Sequence, residues 1–454
     1  MTDFVRKLWQ DLAAWRQSPH RKPLVIRGAR QVGKTTLVRQ FGAMFPHYIE
    51  LNLEKKEYRR IFEKSDRLQD ILNAIYLQTN TPKTGRETLL FLDEIQEAPE
   101  AIRQLRYFYE EAPELHVIAA GSLLEFALGE VVSFPVGRVE QWVLHPLDFE
   151  EFLTARGLQN AVEALNQIPV PDYAHETLLR HFHEFAVIGG MPEVVKRFIA
   201  DQSMANLPDV FGDLWQAWLD DVEKYAESAK ERNVIRYVMQ AAAGEKDRIS
   251  FAGFASSNYG EREVREAFRT LDMARIIQTI YPTTSLQPPP AANLRRKPRL
   301  QFLDTGLLNY LLGIQADMIG IDDLNAFHSG KIIQHLATQE AMAQYRSPLY
   351  KPMFWVRENA NSNAEVDLVL PMGKYLIPVE VKSGKQGRLR SLHEFMDRAD
   401  HPFAIRLLAN RFSVEEAKTP GGTPYYLMNL PYYLTAKLKK YAEWMVGEYG
   451  VSEM

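Results

Sequence analysis

A glycine-framed run near the start of the chain constrains it more than any other feature. Leu24, Val25 and Ile26 read as a short buried strand. Gly28-Ala29-Arg30-Gln31-Val32-Gly33-Lys34-Thr35 follows at once, and Leu37, Phe41 and Phe45 then recur at helical spacing. Strand, G-x-x-x-x-G-K-T loop and helix, in that order, form the context in which such a loop cradles phosphate. Gly28 and Gly33 let the backbone curl until its N–H groups converge on phosphate oxygens. The helix N-terminus adds partial positive charge. Lys34 supplies a mobile cation, the Thr35 hydroxyl is suited to ligate Mg²⁺, and Thr36 completes the set assigned to a bound nucleotide, ATP.

A second motif narrows the reading. Thr88-Leu89-Leu90-Phe91-Leu92 is an apolar strand ending in Asp93 and Glu94. A buried parallel strand delivers its last carboxylate to the sheet edge where ligands bind. Asp93 is therefore assigned to the metal with Thr35, and Glu94 to polarising an attacking water as general base. Tyr48–Leu53 and His116–Ala120 have the patterning of two further strands, and the latter ends in Gly121-Ser122. A strand between the two motifs, with Glu directly after Asp, marks the additional-strand class of P-loop ATPases. In that class Ser122 occupies a sensor position.

The runs GARQVGKTT, LLFLDEIQEAP, VIAAGSLLEFAL, FPVGRVEQWVLHPLDFEEFL and GGMPEVV resemble bacterial and archaeal AAA-type ATPases that carry a C-terminal domain of unknown function. The resemblance extends over nearly the whole chain. It implies ATP hydrolysis, a homo-oligomer such as a hexameric ring, and a role for Arg138 as arginine finger or sensor. A guanidinium there would neutralise charge developing in phosphoryl transfer.

From about Phe149 to Ala229 the pattern is helical, broken at Gly189-Gly190-Met191-Pro192. His175, His181 and His183 lack carboxylates at helical spacing and read as structural. Residues 230–300 differ in charge. They hold 13 Lys and Arg against 7 Asp and Glu, a net +6 within a chain whose total is only −4. Here a helix over 232–243, a short one capped by Ser250 and running through Phe254, a third over 261–276 and a hairpin of 277–281 with 298–302 make a winged helix-turn-helix plan. On the third helix Val264, Phe268 and Leu271 share one face, and Arg262, Arg265 and Arg269 the other. With Arg295, Arg296, Lys297 and Arg299 near the wing, these arginines suit contact with DNA phosphates. Residues 283–298, Pro-rich and then basic, read as a loop.

Near the C-terminus, strand patterns at 365–370 and 375–382 flank Gly373-Lys374, a two-residue hairpin turn. Residue numbers of paired positions then add to 747, so Asp367 faces Glu380 and Glu365 faces Lys382, all on one sheet face. Two opposed carboxylates repel unless a divalent cation lies between them. Asp367, Glu380 and Lys382 form the pattern of PD-(D/E)xK nucleases, to which this stretch is similar. Pro371 and Pro378 threaten the register, since a one-residue slip would separate the carboxylates. Where that pattern has a glutamate on the preceding helix, the chain has Gln334 after Gly330, while Glu340 remains further on. A working nuclease, a nuclease fold kept for nucleic-acid binding, and a purely structural domain are all left open.

The expected fold is therefore α/β. An AAA-type P-loop ATPase domain spans 1–150 and a helical lid 151–229. A winged helix spans 230–312, and a small restriction-endonuclease-like domain 313–454. DNA is the expected partner, with a protein-binding nucleotide switch as the rival. Cysteine is absent, which excludes disulfides, thiolate metal sites and a cysteine nucleophile. No apolar run reaches the roughly 18 residues of a membrane span. The N-terminus lacks a signal-peptide core, so a cytoplasmic location with no membrane contact is expected.

Overall fold

A computed structural model describes residues 4–122, 124–125, 137–226, 228–245, 247–318, 330–358, 364–382 and 389–450. The chain divides into two compact units. The first comprises residues 1–146 with 273–276 and 346–349, and the second comprises the remainder.

The first unit is built on a five-stranded sheet of β1 (Leu24–Arg27), β2 (His47–Asn52), β3 (Thr88–Asp93), β4 (His116–Ala120) and β5 (Glu140–Val143). Their order is β2-β3-β4-β1-β5 and every pairing is parallel. All residues of β3 and β4 are buried, because helices on both faces exclude water from a parallel sheet. Leu51, Phe62, Ile71, Leu90, Leu92, Leu105 and Phe108 form part of that core. The strand β4, inserted between β1 and β3, is the additional strand read from the sequence. It brings the ends of both phosphate-related motifs to one sheet edge.

The second unit holds a seven-stranded mixed sheet ordered β13-β14-β12-β11-β10-β9-β7 and a separate antiparallel pair, β6 with β8. Its strands are β6 (Ile277–Ile280), β7 (Pro282–Thr283), β8 (Arg299–Phe302), β9 (Met353–Val356), β10 (Glu365–Met372), β11 (Tyr375–Val381), β12 (Phe403–Leu408), β13 (Ser413–Lys418) and β14 (Pro424–Pro431). The β10–β11 register runs from Leu368↔Val379 to Met372↔Tyr375. It is the expected one, and Pro371 and Pro378 are accommodated within it.

The helical stretch contains the helices Phe149–Ala155, Gln159–Leu165, His175–Ile188, Pro192–Asp201 and Leu207–Glu223. The Gly189-Gly190 break has a packing cause. A Cβ on Gly190 would lie 2.0 Å from the Leu147 carbonyl oxygen, and one on Gly189 would lie 2.1 Å from an Asp304 carboxylate oxygen. Of the three histidines, His175 meets the Tyr433 hydroxyl at 3.1 Å, and His181 meets Glu184 at 3.0 Å. Glu184 is a carboxylate three residues on in the same helix, contrary to the expectation that none stands at helical spacing.

In the basic stretch, the helices Ala229–Ala242 and Glu261–Met273 and the β6–β8 pair stand where expected. The second helix does not form. A 3-10 turn at Phe254–Ser256 replaces it, with Gly253, Ala255 and Ser256 all at positive φ, which a right-handed helix cannot contain. The stretch read as a loop from Thr283 also begins differently, because Thr283 pairs with Trp355 in β7.

Candidate functional site

The loop after β1 enters the helix Lys34–Gly42 through Gly33 at φ 95°. Gly28 sits so close to the next strand that a Cβ would lie 2.4 Å from the Leu144 carbonyl oxygen. Ala29 and Val32 are buried, so packing anchors the loop from below. Arg6 adds a hold that no motif announced: its guanidinium donates to the Val32 carbonyl at 2.8 Å and to His145 O at 2.6 Å.

Lys34 is folded into the cradle, where Nζ donates to Gly28 O at 3.0 Å and Ala29 O at 2.8 Å. These weak neutral acceptors hold the ammonium where a phosphate oxygen would take it. Burial lowers the Lys34 pKa to about 8, against the opposing pull of Glu94 and Asp93. A consequence follows for pH. The protonated lysine binds phosphate, and in the empty site the proton is lost as pH rises through about 8. Affinity for ATP is therefore expected to fall about tenfold between pH 7 and pH 9. Titration with a fluorescent ATP analogue at the two pH values measures this, and equal affinities would show that Lys34 does not carry the interaction.

The two residues assigned to a metal, Thr35 and Asp93, also meet. Thr35 Oγ1 donates to Asp93 Oδ2 at 3.0 Å, so the hydroxyl and carboxylate converge as a shared Mg²⁺ requires. Burial first, and Glu94 second, push Asp93 up to about 6. That is the conflict a divalent cation removes. Thr35 and Asp93 would hold a Mg²⁺ ion, which would supply positive charge against phosphate charge developing during hydrolysis.

Glu94 follows Asp93 at φ 51°, and Gln96 Nε2 donates to its Oε2 at 2.7 Å. Gln96 itself packs under Gly121, the residue before Ser122, so one amide links the candidate base to the end of β4. Ser122 is buried there. Arg138 is placed differently. It precedes β5, whose Glu140 pairs with Leu24 at the start of β1, a strand length away from the phosphate loop of the same chain. Its Nε meets Glu110 at 3.2 Å. The preceding Phe134–Val136 lie outside the described residues. A second network missed from the sequence stands behind the loop. Arg275 donates to Glu125 at 2.9 Å, and Arg27, the last residue of β1, lies 3.6 Å from the same carboxylate.

In the basic stretch, Val264, Phe268 and Leu271 are buried as their spacing requires. Arg262 is exposed. Arg265 pairs with Glu261 at 2.6 Å and lies over the Phe251 ring, and Arg269 approaches Glu266 at 3.5 Å. Arg295 and Lys297 are exposed, whereas Arg296 donates to the Glu358 carbonyl.

Asp367 and Glu380 face the same side, with Lys382 beside them. Lys382 bonds Glu380 at 2.5 Å. Glu380 is held well above the ordinary carboxylate range, by burial first and then by Asp367. Glu340 belongs elsewhere: it is fully buried and accepts from Phe149 N at 3.1 Å. Six helical residues separate it from Gln334, a rotation of about 240° that turns it off the face of Asp367. Gln334, by contrast, donates to Asp367. Among the described residues, no group of three or more His, Asp or Glu is arranged to hold a metal ion.

Residues 20–153 match the model of an AAA domain. With the sheet order and loop geometry above, the first unit is an AAA-type P-loop ATPase domain. Residues 179–318 and 329–419 match two domains of unknown function, DUF8612 and DUF4143. An uncharacterized protein of Haemophilus influenzae is 23% identical over 227 residues, 47% of this chain. The chain spans about half of that relative's length, 49%. Among solved structures, a Walker-type ATPase of Pyrococcus abyssi is similar at 15% identity and TM-score 0.43, covering 68% of this chain and 96% of that one. A point variant of RuvB from Thermotoga maritima is similar at 14% identity and TM-score 0.26, covering 64% and 93%. Among the described residues no helix is long and apolar enough to cross a membrane.

Proposed function

We propose that the chain hydrolyses Mg-ATP as a homo-oligomer and couples turnover to DNA through its basic stretch. One observation carries the catalytic part: Lys34, the Thr35–Asp93 pair and Glu94 converge at the C-terminal edge of a β3-β4-β1 sheet. In this reading the loop amides and Lys34 hold the phosphates. Glu94 takes a proton from the attacking water, and Ser122 reports the γ-phosphate. Arg138, remote from its own loop, serves a neighbouring protomer's site, which requires an oligomer such as a hexameric ring.

The DNA part rests on the local charge of +6 over residues 230–300 and on the exposure of Arg262, Arg295 and Lys297. A winged helix presented by the helix Glu261–Met273 and the β6–β8 pair would place those cations against phosphates. Steady-state ATPase rates with duplex, single-stranded and junction DNA at low salt test the coupling. Stimulation by one of the three is expected. The triple variant Arg262→Glu, Arg295→Glu, Lys297→Glu should weaken DNA binding at every sequence and flatten its salt dependence by about 0.9 per lost phosphate contact. If no form of DNA binds or stimulates, the coupling is refuted.

A second reading has one observation in its favour. Arg265 and Arg269 already have carboxylate partners on their own helix, which lowers the charge left for phosphate. A nucleotide-gated switch that binds a protein partner would use that mixed surface. It predicts ATP-dependent binding of a protein partner and indifference to DNA.

A further inference from the structure

Asp367, which the nuclease pattern pairs with Glu380, is already engaged inside the protein together with Glu365, two residues before it. Arg299, from the basic stretch, reaches the β10 face and bonds both Glu365 and Asp367. It also approaches the Asp367 carbonyl at 3.4 Å and lies 4.4 Å over the Phe354 ring. Arg248 closes the other side, with its Nε 3.0 Å from the second Glu365 oxygen. Asp367 also accepts on both oxygens. Gln334 and Arg299 share Oδ1, and the Val381 amide donates to Oδ2 at 2.9 Å.

A divalent cation needs carboxylate lone pairs turned toward it and no like charge in its place. Here donors occupy both oxygens of Glu365 and both of Asp367, and a guanidinium stands between them. Glu380 has one oxygen held by Lys382 and the other without a hydrogen-bond partner, within the field of the same guanidinium. Access is not the obstacle. A cleft lined by Asp247, Lys331, Gln334 and Arg299 reaches Asp367. The planar fork of an arginine suits two carboxylates better than a point charge would. Gln334, where a ligand glutamate would stand, acts as a donor and so belongs to the same arrangement.

The geometry points to an arginine-plugged pseudo-nuclease centre. Arg299 takes the cation's place, the domain binds no divalent metal at Asp367, and the pair anchors β8 to the C-terminal sheet. This inference does not depend on the ATPase reading. It excludes cleavage by this centre and gives the carboxylates a different task, holding the basic hairpin in position.

Binding of Mn²⁺ alone to the full chain, without nucleotide and followed by electron paramagnetic resonance, tests it. Wild type and Asp367→Asn are expected to bind equal amounts of Mn²⁺, because any ion at Thr35 and Asp93 is common to both. Arg299→Met is expected to gain one equivalent, and the double variant Arg299→Met, Asp367→Asn to lose it again. An Asp367-dependent Mn²⁺ equivalent in wild type would overturn the inference, and that comparison needs no Arg299 variant to fold. Failure of a folded Arg299→Met to gain an ion would equally overturn the claim that the guanidinium fills the cation's place.

Discussion

Glu94→Gln is expected to bind Mg-ATP as the parent does and to hydrolyse it about 10²–10⁴-fold more slowly, the contribution of a positioned general base. The substitution keeps the size and position of the side chain while removing its ability to take a proton. Asp93 and Thr35, 3.0 Å apart, and Lys34 in the loop remain untouched, so the binding apparatus survives. The amide of Gln96, which donates to Glu94 Oε2, still has an oxygen to meet. Single-turnover hydrolysis alongside equilibrium ATP binding separates the two effects. A rate within tenfold of the parent would assign the proton to another group. Lost binding would mean that Glu94 supports the loop rather than the chemistry.

Asp304→Ala should destabilise the second unit by on the order of 3 kcal/mol. Asp304 is fully buried and serves two segments at once. Its carboxylate accepts from Gly190 N at 2.6 Å and from Leu307 N at 3.0 Å, capping the helix Thr305–Leu312. Removal strands both amides and deletes the cap. Burial pushes the carboxyl up to about 6, and this desolvation cost is relieved in the variant, so the loss falls short of the sum of the bonds. Urea unfolding followed by far-ultraviolet circular dichroism measures it. An unchanged midpoint would show that the Gly189-Gly190 junction holds without the carboxylate.

The two experiments bear on different kinds of information. The phosphate loop was legible because strand, glycines, lysine and helix are neighbours in sequence, and short-range geometry dictates their arrangement. The β10–β11 register was equally local: a two-residue turn sets it, and the flanking prolines do not disturb it. The second helix of the basic stretch failed because consecutive left-handed residues near Ala255 are decided by packing rather than by composition.

The roles of individual charges were less legible. Arg299 read as a phosphate contact from its company of Arg295, Arg296 and Lys297, yet it closes on carboxylates more than 60 residues later. Glu340 read as a spare metal ligand, yet it bonds the start of the helix Phe149–Ala155, 191 residues earlier in the chain. Arg6 left no signal at all before the fold brought it to the Val32 carbonyl. By itself the sequence determined the class of the first unit and the local geometry of its phosphate loop, because backbone conformation and side-chain spacing act over a few residues. Only the tertiary structure decided which cations are spent inside the protein and which face outward. A charge's partner is chosen by proximity in space, and proximity between distant segments appears only once the chain has folded.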